Sequence, residues 1–208
     1  MSNDPFLVPR GFGESVIVEK RSRFIGAVAP VAGEEAARAF LTERREAHRD
    51  ARHHVYAYVL RDSGVLRYSD DGEPQGTGGL PVLEVLRREG VFDVCCVVTR
   101  YFGGVLLGAP GLTRAYAASA KAALDVAGVA VMRAWISVIL SCSYSLWQIM
   151  RLEITAAEGI EEMVDFGADV TAELALPSPR LEEFRKRVVE VSAGQAFLMV
   201  GAESFRSI

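Results

Sequence analysis

The chain has 208 residues, half of them hydrophobic and 24% charged, so we expect a packed core in one large domain or two small ones. No apolar run is long enough to cross a bilayer, and residues 1–10 lack the pattern of a secretory signal peptide, which predicts a cytoplasmic protein with no membrane partner. The net charge of −4 lies in residues 131–208, because residues 1–130 carry 16 basic and 16 acidic side chains. The net charge argues against bulk attraction to nucleic acid, and any contact with a polyanion would fall in the first part of the chain.

The first part of the chain alternates strand and helix patterns. The predicted elements are strands at 14–20 and 24–29, a helix at 34–48, a strand at 54–60 with a hairpin partner at 65–68, a polar loop at 69–79, a short helix at 80–89, a buried strand at 91–99 and an alanine-rich helix at 112–127.

The second part has the order β-α-β-β-α-β, which is the ferredoxin-like split motif. The predicted elements are a strand at 135–144, a helix at 145–157, strands at 160–166 and 169–176, a helix from Ser178 to about 191 and a strand at 196–200. We therefore expect two domains, 1–130 and 131–208. A sheet edge or a helix face of the second domain is a candidate surface for a protein partner.

The three cysteines, Cys95, Cys96 and Cys142, lie in apolar strand-like runs, where a cysteine usually behaves as a small hydrophobe. Reduced thiols in a cytosolic protein are the simplest interpretation. The spacing Cys-x-x-Cys is absent, so a zinc site built from thiolates is not expected.

The most informative segment follows the buried strand and precedes the alanine-rich helix. It carries an arginine, two aromatic residues and several glycines, and we call its residues 100–108 the aromatic–glycine loop. Glycines allow a close approach to the backbone, and a helix start offers unpaired N–H groups, a combination that suits an anion. The dinucleotide and Walker fingerprints are absent. The alternative is that these glycines only shape a tight strand-to-helix crossing.

A second segment, residues 69–79, is the acidic loop. Its three carboxylates, Asp70, Asp71 and Glu73, are oxygen ligands of the kind that Mg²⁺ or Ca²⁺ takes, whereas the alternative is a polar turn. Thr77 is expected to cap the following helix rather than to act as a catalytic hydroxyl. No Ser-His-Asp set can be assembled, and the sequence contains no complete catalytic constellation.

Two basic stretches, residues 20–23 and 44–54, complete the list of unusual segments. The second is the densest, and it suits either phosphate contacts or a solvated helix end, where cations are favourable near the negative end of the dipole. His53 begins a strand close in sequence to the acidic loop, where a neutral histidine could serve as a base or a ligand, although a structural role is the more common one.

Taken together, these segments resemble the YigZ/IMPACT family. The likeness runs through Lys20–Ile25, Asp50–His53, Tyr68–Thr77, Thr99–Gly104 with Leu107 and Gly108, and Arg114–Tyr116. The resemblance implies an α+β protein with an N-terminal α/β two-layer domain like the second domain of a ribosomal small-subunit protein, and a C-terminal ferredoxin-like domain resembling an elongation factor module. It also implies a link to translation, because eukaryotic members compete for an activator of a stress kinase, and nucleic-acid or ribosome association has been suggested for bacterial members.

The chain departs from the family pattern at two places. His54-Val55-Tyr56 stands where the family often has a cysteine and a tryptophan, and Pro110 stands where it often has a glycine. Proline removes one N–H at the helix mouth, which weakens an anion cradle, although proline also suits a first helical turn.

Our leading hypothesis is a non-enzymatic protein that binds RNA, the ribosome or a translation factor and needs no cofactor. The predicted contact residues are Arg100, Tyr101, Phe102, Gly103, Gly104 and Gly108, and the residues expected to line or support the same groove are His53, Asp70, Asp71, Gly72, Glu73, Thr77 and Arg114. The alternative is a metal-dependent hydrolase or phosphate-transfer enzyme that uses Asp70, Asp71 and Glu73. Both hypotheses require the acidic loop and the aromatic–glycine loop to form neighbouring walls of one open groove, with Arg100 not packed away from water against its own domain.

Overall fold

A computed structural model describes residues 4–207. The described residues divide into two compact units, Phe6–Val131 and 132–207, with residues 4 and 5 grouped with the second. The expected domains, 1–130 and 131–208, also include residues 1–3 and 208, which lie outside the described residues. The division falls inside a continuous strand, Val129–Cys142.

The elements of the N-terminal unit are β1 (Phe6–Pro9), β2 (Gly13–Glu19), β3 (Ser22–Pro30), α1 (Glu34–Ala47), β4 (His53–Val59), β5 (Leu66–Ser69), α2 (Gly79–Arg88), β6 (Val94–Tyr101) and α3 (Ala109–Ala127). Five of the strands form an antiparallel sheet with the order β2-β3-β6-β4-β5. Strand β6 is central, which explains why its apolar run does not alternate: both of its faces are covered.

Helices cover both faces of this sheet. Helices α2 and α3 pack on one face, where Leu86 and Leu124 join the main core. Helix α1 packs on the other face and brings Phe40 against Cys95 and Val97. The two-layer arrangement expected for this domain is therefore extended by a third layer.

The strand pairing brings three strand ends together at one end of the sheet. Arg23, near the start of β3, lies opposite Tyr101 at the end of β6, and His53 at the start of β4 lies opposite Arg100. The loops that follow or precede these residues therefore share one end of the unit, and the candidate site lies there.

The C-terminal unit has the ferredoxin-like arrangement predicted from its element order. Its strands follow the antiparallel order β10-β7-β9-β8, and helices α4 and α5 pack against one face through Met150 and Phe184. The elements are β7 (Val129–Cys142), α4 (Tyr144–Ala156), β8 (Ile160–Phe166), β9 (Val170–Pro177), a short 3₁₀ turn (Ser178–Arg180), α5 (Leu181–Ser192) and β10 (Phe197–Arg206).

Several elements differ from their predicted bounds. Helix α3 begins at Ala109, three residues earlier than predicted, because Pro110 is accommodated in its first turn. Strand β7 begins at Val129 rather than at Trp135. Among the described residues, no helix combines the length and apolarity needed to span a bilayer.

Candidate functional site

The acidic loop is a hydrogen-bonded turn in which the first carboxylate serves the backbone. The Asp70 carboxylate accepts hydrogen bonds from the backbone N–H groups of Gly76 at 2.8 Å and of Gly78 and Gly79 at 2.9 Å each. Because Gly79 is the first residue of α2, Asp70 satisfies N–H groups that a helix start leaves without an intrahelical partner. Asp70 thus supports the loop and the start of the helix.

Thr77 and Gly72 are further structural parts of this loop. The buried Thr77 hydroxyl donates to the carbonyl of Pro74 at 2.6 Å, and the N-cap of α2 is Gly78, so the expectation that Thr77 caps the helix is wrong. Gly72 has φ +87°, a conformation that favours glycine, and a Cβ there would lie 3.3 Å from Nδ1 of His53.

Asp71 joins the acidic loop to α1 and β4. Its Oδ1 lies 2.9 Å from a guanidinium nitrogen of Arg45, its Oδ2 accepts the backbone N–H of His54 at 2.7 Å, and its carbonyl lies 2.8 Å from Nδ1 of His53. Burial lowers the pKa of His54, and the Asp71 carboxylate only partly opposes this shift. These contacts place His53 in a supporting position.

Glu73 and Arg100 form a buried ion pair that connects the acidic loop to the end of β6. The Arg100 Nη1 donates to Glu73 Oε1 at 2.6 Å, and the buried Tyr116 hydroxyl from α3 donates to the same oxygen at 2.8 Å. The Arg100 guanidinium also lies 5.4 Å from the ring centroid of Phe24. Burial and the adjacent Glu73 carboxylate raise the pKa of Tyr116.

The two loops meet at this pair, as expected, but the expectation that Arg100 is accessible to a partner is wrong. Arg100 is only 7% exposed and its charge is matched by Glu73, so it holds the loops together and does not form a contact surface.

The three carboxylates of the acidic loop do not fit a divalent cation. Asp70 accepts three backbone N–H groups, Asp71 pairs with Arg45 and Glu73 pairs with Arg100. A metal ion would have to displace all of these partners, and each carboxylate serves a different element. The geometry therefore argues against the metal-dependent alternative.

The Tyr101 side chain is engaged with the loop between α1 and β4. Its hydroxyl donates to Asp50 Oδ1 at 2.9 Å and lies 3.1 Å from Nδ1 of His48. The Arg23 guanidinium lies over its ring, 4.5 Å from the centroid. Burial and Asp50 raise the pKa of the Tyr101 hydroxyl. Tyr101 thus fixes the loop around Asp50 against the end of the sheet.

The glycines of the aromatic–glycine loop have two different roles. Gly103 lies against the β2–β3 turn: its N–H donates to Ser22 Oγ at 3.1 Å, and a Cβ there would be 2.0 Å from the carbonyl carbon of Arg21. Gly104 and Gly108 have φ +81° and +73° in open space, and Gly108 is the N-cap of α3. The glycines therefore do shape the crossing, and they also bring the loop onto the turn.

Phe102 is the aromatic residue of this loop that faces solvent. Its side chain is 55% exposed, and the neighbouring Leu106 is 82% exposed. Arg114, in the second turn of α3, is also exposed and has no ion-pair partner among residues 4–207.

Five cations border this end of the sheet, and sequence reasoning did not assign them to the site. None of them has an ion-pair partner within the described residues, and all are exposed; we call them the basic rim: Lys20, Arg21, Arg23, Arg49 and Arg52. The first three flank the β2–β3 turn that Gly103 touches, and the last two flank Asp50, which Tyr101 binds. The strand register brings these two basic stretches to the same end of the sheet, which the spacing of charges along the sequence does not predict.

Two protein families match separate parts of the chain. The Impact N-terminal domain matches residues 20–124, and a domain of unknown function, DUF1949, matches residues 140–195. A solved structure described as a crystal structure of a hypothetical protein is 35% identical, with a TM-score of 0.61, and the match covers 96% of this chain and 98% of that one.

Individual relatives cover most or part of the chain. It is 36% identical to the IMPACT family member YigZ of Escherichia coli (strain K12), over 94% of this chain and 98% of that protein. It is 33% identical to the IMPACT family member YvyE of Bacillus subtilis (strain 168), over 91% and 88%. Protein IMPACT of Mus musculus is 34% identical over 44% of this chain and 30% of its own length. The chain therefore belongs to the IMPACT family.

Proposed function

We propose that this protein binds RNA through the basic rim of its N-terminal unit and acts in translation as a non-enzymatic binding protein. The observation that carries the proposal is the gathering of five exposed cations without ion-pair partners in residues 4–207 at one end of a sheet. Cations of this kind contact phosphates and release condensed counterions, which favours binding to a polyanion.

The local charge balance supports this assignment although the whole chain is acidic. Of the carboxylates at this end, Asp71 pairs with Arg45, whereas Asp50 accepts the neutral Tyr101 hydroxyl and keeps its charge. Glu19, beside the β2–β3 turn, and Glu46, in the last turn of α1, are further exposed carboxylates, so the five cations outnumber the carboxylates that lack a cationic partner. Residues 131–208 carry 7 basic and 11 acidic side chains, so the C-terminal unit repels a polyanion and is free for a protein partner such as a translation factor.

The contact surface in this proposal differs from the one expected from the sequence. Phe102, Gly104 and Arg114 remain as candidate contacts, whereas Arg100 and Tyr101 support them from behind. A cytoplasmic location is part of the proposal, and the three free, buried cysteines are consistent with a reducing compartment.

Anisotropy of a fluorescent RNA at two or more salt concentrations tests the proposal. Replacing Arg21 and Arg52 together by alanine should weaken binding and reduce the slope of log K against log salt by about 0.7 for each lost phosphate contact on a single strand. Lys186→Ala is the matched control, because Lys186 is an exposed cation of the C-terminal unit that also has no ion-pair partner among the described residues. An unchanged salt slope in the double variant contradicts the proposal, as does a wild-type protein that does not bind RNA.

A further inference from the structure

We infer that the RNA is single-stranded at this site and stacks an unpaired base on the ring of Phe102. This inference rests on the proposed function and names the form of nucleic acid that the site accepts. It starts from the contrast between two adjacent aromatic residues: Tyr101 is engaged by Asp50, His48 and Arg23, whereas the Phe102 ring is 55% exposed.

The backbone on both sides of Phe102 is held in place. On one side, Arg100 is fixed by the buried pair with Glu73. On the other side, Gly103 hydrogen-bonds to Ser22 and packs directly on the backbone of Arg21. An exposed ring on an anchored backbone loses little conformational entropy when a ligand stacks on it, which is the advantage of a preorganised platform.

A cation already lies close to the Phe102 ring. The Arg100 guanidinium lies 5.5 Å from the Phe102 ring centroid. Arg100 is itself buried, so it does not compete with a base for the exposed part of the ring. What remains accessible is an apolar, planar surface next to the basic rim.

A planar surface beside cations fits a single strand better than a duplex. In a duplex both faces of each base are covered by neighbouring bases, whereas an unpaired base offers a free face to an aromatic side chain. The backbone of Arg21 lies against Gly103, one residue away from Phe102, so the basic β2–β3 turn lies beside the platform for the base. Stacking on one aromatic residue with backbone contacts reads little sequence, so we expect weak base preference.

The exposed Leu106 offers a different explanation for the same patch, namely that a protein covers both apolar side chains. Phe102→Leu distinguishes base stacking from protein binding, because leucine keeps the apolar bulk but has no planar ring. Phe102→Tyr keeps the ring. Leu106→Ser is the matched control on the neighbouring apolar residue, since both side chains are exposed and their replacement leaves the described core intact.

The test is a titration of each variant with a short fluorescent RNA and with the duplex of the same sequence. We expect Phe102→Leu to weaken single-strand binding about fivefold to hundredfold with an unchanged salt slope, Phe102→Tyr to retain affinity, Leu106→Ser to have no effect, and the duplex to bind more weakly than the strand. A 2-aminopurine base in the strand should lose fluorescence on binding to wild type and less so with Phe102→Leu.

The outcomes separate the two proposals. Equal affinity of wild type and Phe102→Leu for the single strand, with a salt slope that still depends on Arg21, overturns the stacking inference and leaves RNA binding intact. Duplex binding as tight as strand binding overturns it as well. A loss caused by Leu106→Ser as large as that caused by Phe102→Leu indicates an apolar patch and not a stacking platform. No RNA binding by wild type removes both proposals.

Discussion

Replacement of Glu73 by glutamine tests the claim that the buried pair with Arg100 holds the two loops together. Both side chains are almost fully buried, 7% exposed for Arg100 and 4% for Glu73, and the buried Arg100 Nε has no hydrogen-bond partner in the described structure. The variant leaves a buried guanidinium without a counter-charge. Breaking a buried pair by removing one partner costs about 3–5 kcal/mol of unfolding free energy, and we expect Glu73→Gln to fall in this range.

Two companion variants separate the charge from the packing. Glu73→Leu combined with Arg100→Met removes both charges and fills similar volume, so it should be less destabilising than Glu73→Gln alone. Tyr116→Phe removes one hydrogen bond to a charged acceptor and leaves the ion pair intact, so its cost should be about 1.5–3 kcal/mol. Glu73→Gln is therefore predicted to be the most destabilising of the three variants.

The assay must report on the N-terminal unit alone. Both tryptophans, Trp135 and Trp147, lie in the C-terminal unit, so tryptophan fluorescence follows that unit and serves as an internal control. Hydrogen exchange of the β6 amides measures the free energy of opening of the N-terminal sheet. A Glu73→Gln variant that loses less than about 1 kcal/mol, the range of an exposed pair, would refute the argument, as would a double variant less stable than Glu73→Gln.

Three further predictions follow from the same contacts. Gly103→Ala should destabilise the N-terminal unit by about 1–3 kcal/mol because its Cβ overlaps the carbonyl of Arg21, whereas Gly11→Ala, with no atom within 4 Å of its Cβ, should change stability by less than about 0.5 kcal/mol in urea unfolding. Asp70→Ala should cost about 1–3 kcal/mol, measured by exchange of the α2 amides, because it leaves three backbone N–H groups without an acceptor. Burial lowers the pKa of His54 in the folded state below its ordinary value of 6.5, so the unfolded chain binds more protons than the folded one as the pH falls below 6.5. The free energy of unfolding should therefore decline from that pH downward. His54→Gln should flatten this decline in a series of urea midpoints.

Much of the fold follows from local sequence pattern. The β-α-β-β-α-β order of the second part predicted the ferredoxin-like unit, because alternation in Val170–Pro177 and the apolar stripe of α4 are read over short windows. The early start of β7 was not predicted, because Val129 and Val131 lie on exposed parts of the strand and carry no alternation against a core.

The convergence of the two loops was predictable, but the identity of the exposed residues was not. Adjacent strands place Arg100 near the acidic loop, which the order of elements suggested. Its burial depends on Glu73 from a distant loop, whose Oε1 accepts hydrogen bonds from both Arg100 and Tyr116, and no local sequence pattern predicts this meeting. Arg21 and Arg52 were not expected in the site, because in the sequence they look like ordinary surface cations. The strand register brings their segments to the same end of the sheet.

The most direct test of RNA binding by the basic rim is a map of backbone amide shifts during titration of the isotope-labelled full chain, 22.6 kDa, with a short single-stranded RNA. If the basic rim binds RNA, the amide signals that shift should belong to the turn at residues 20–23, the segment at 49–53 and the loop at 102–104. Movement confined to residues 132–207, or none at RNA concentrations that saturate a non-specific site, would contradict it.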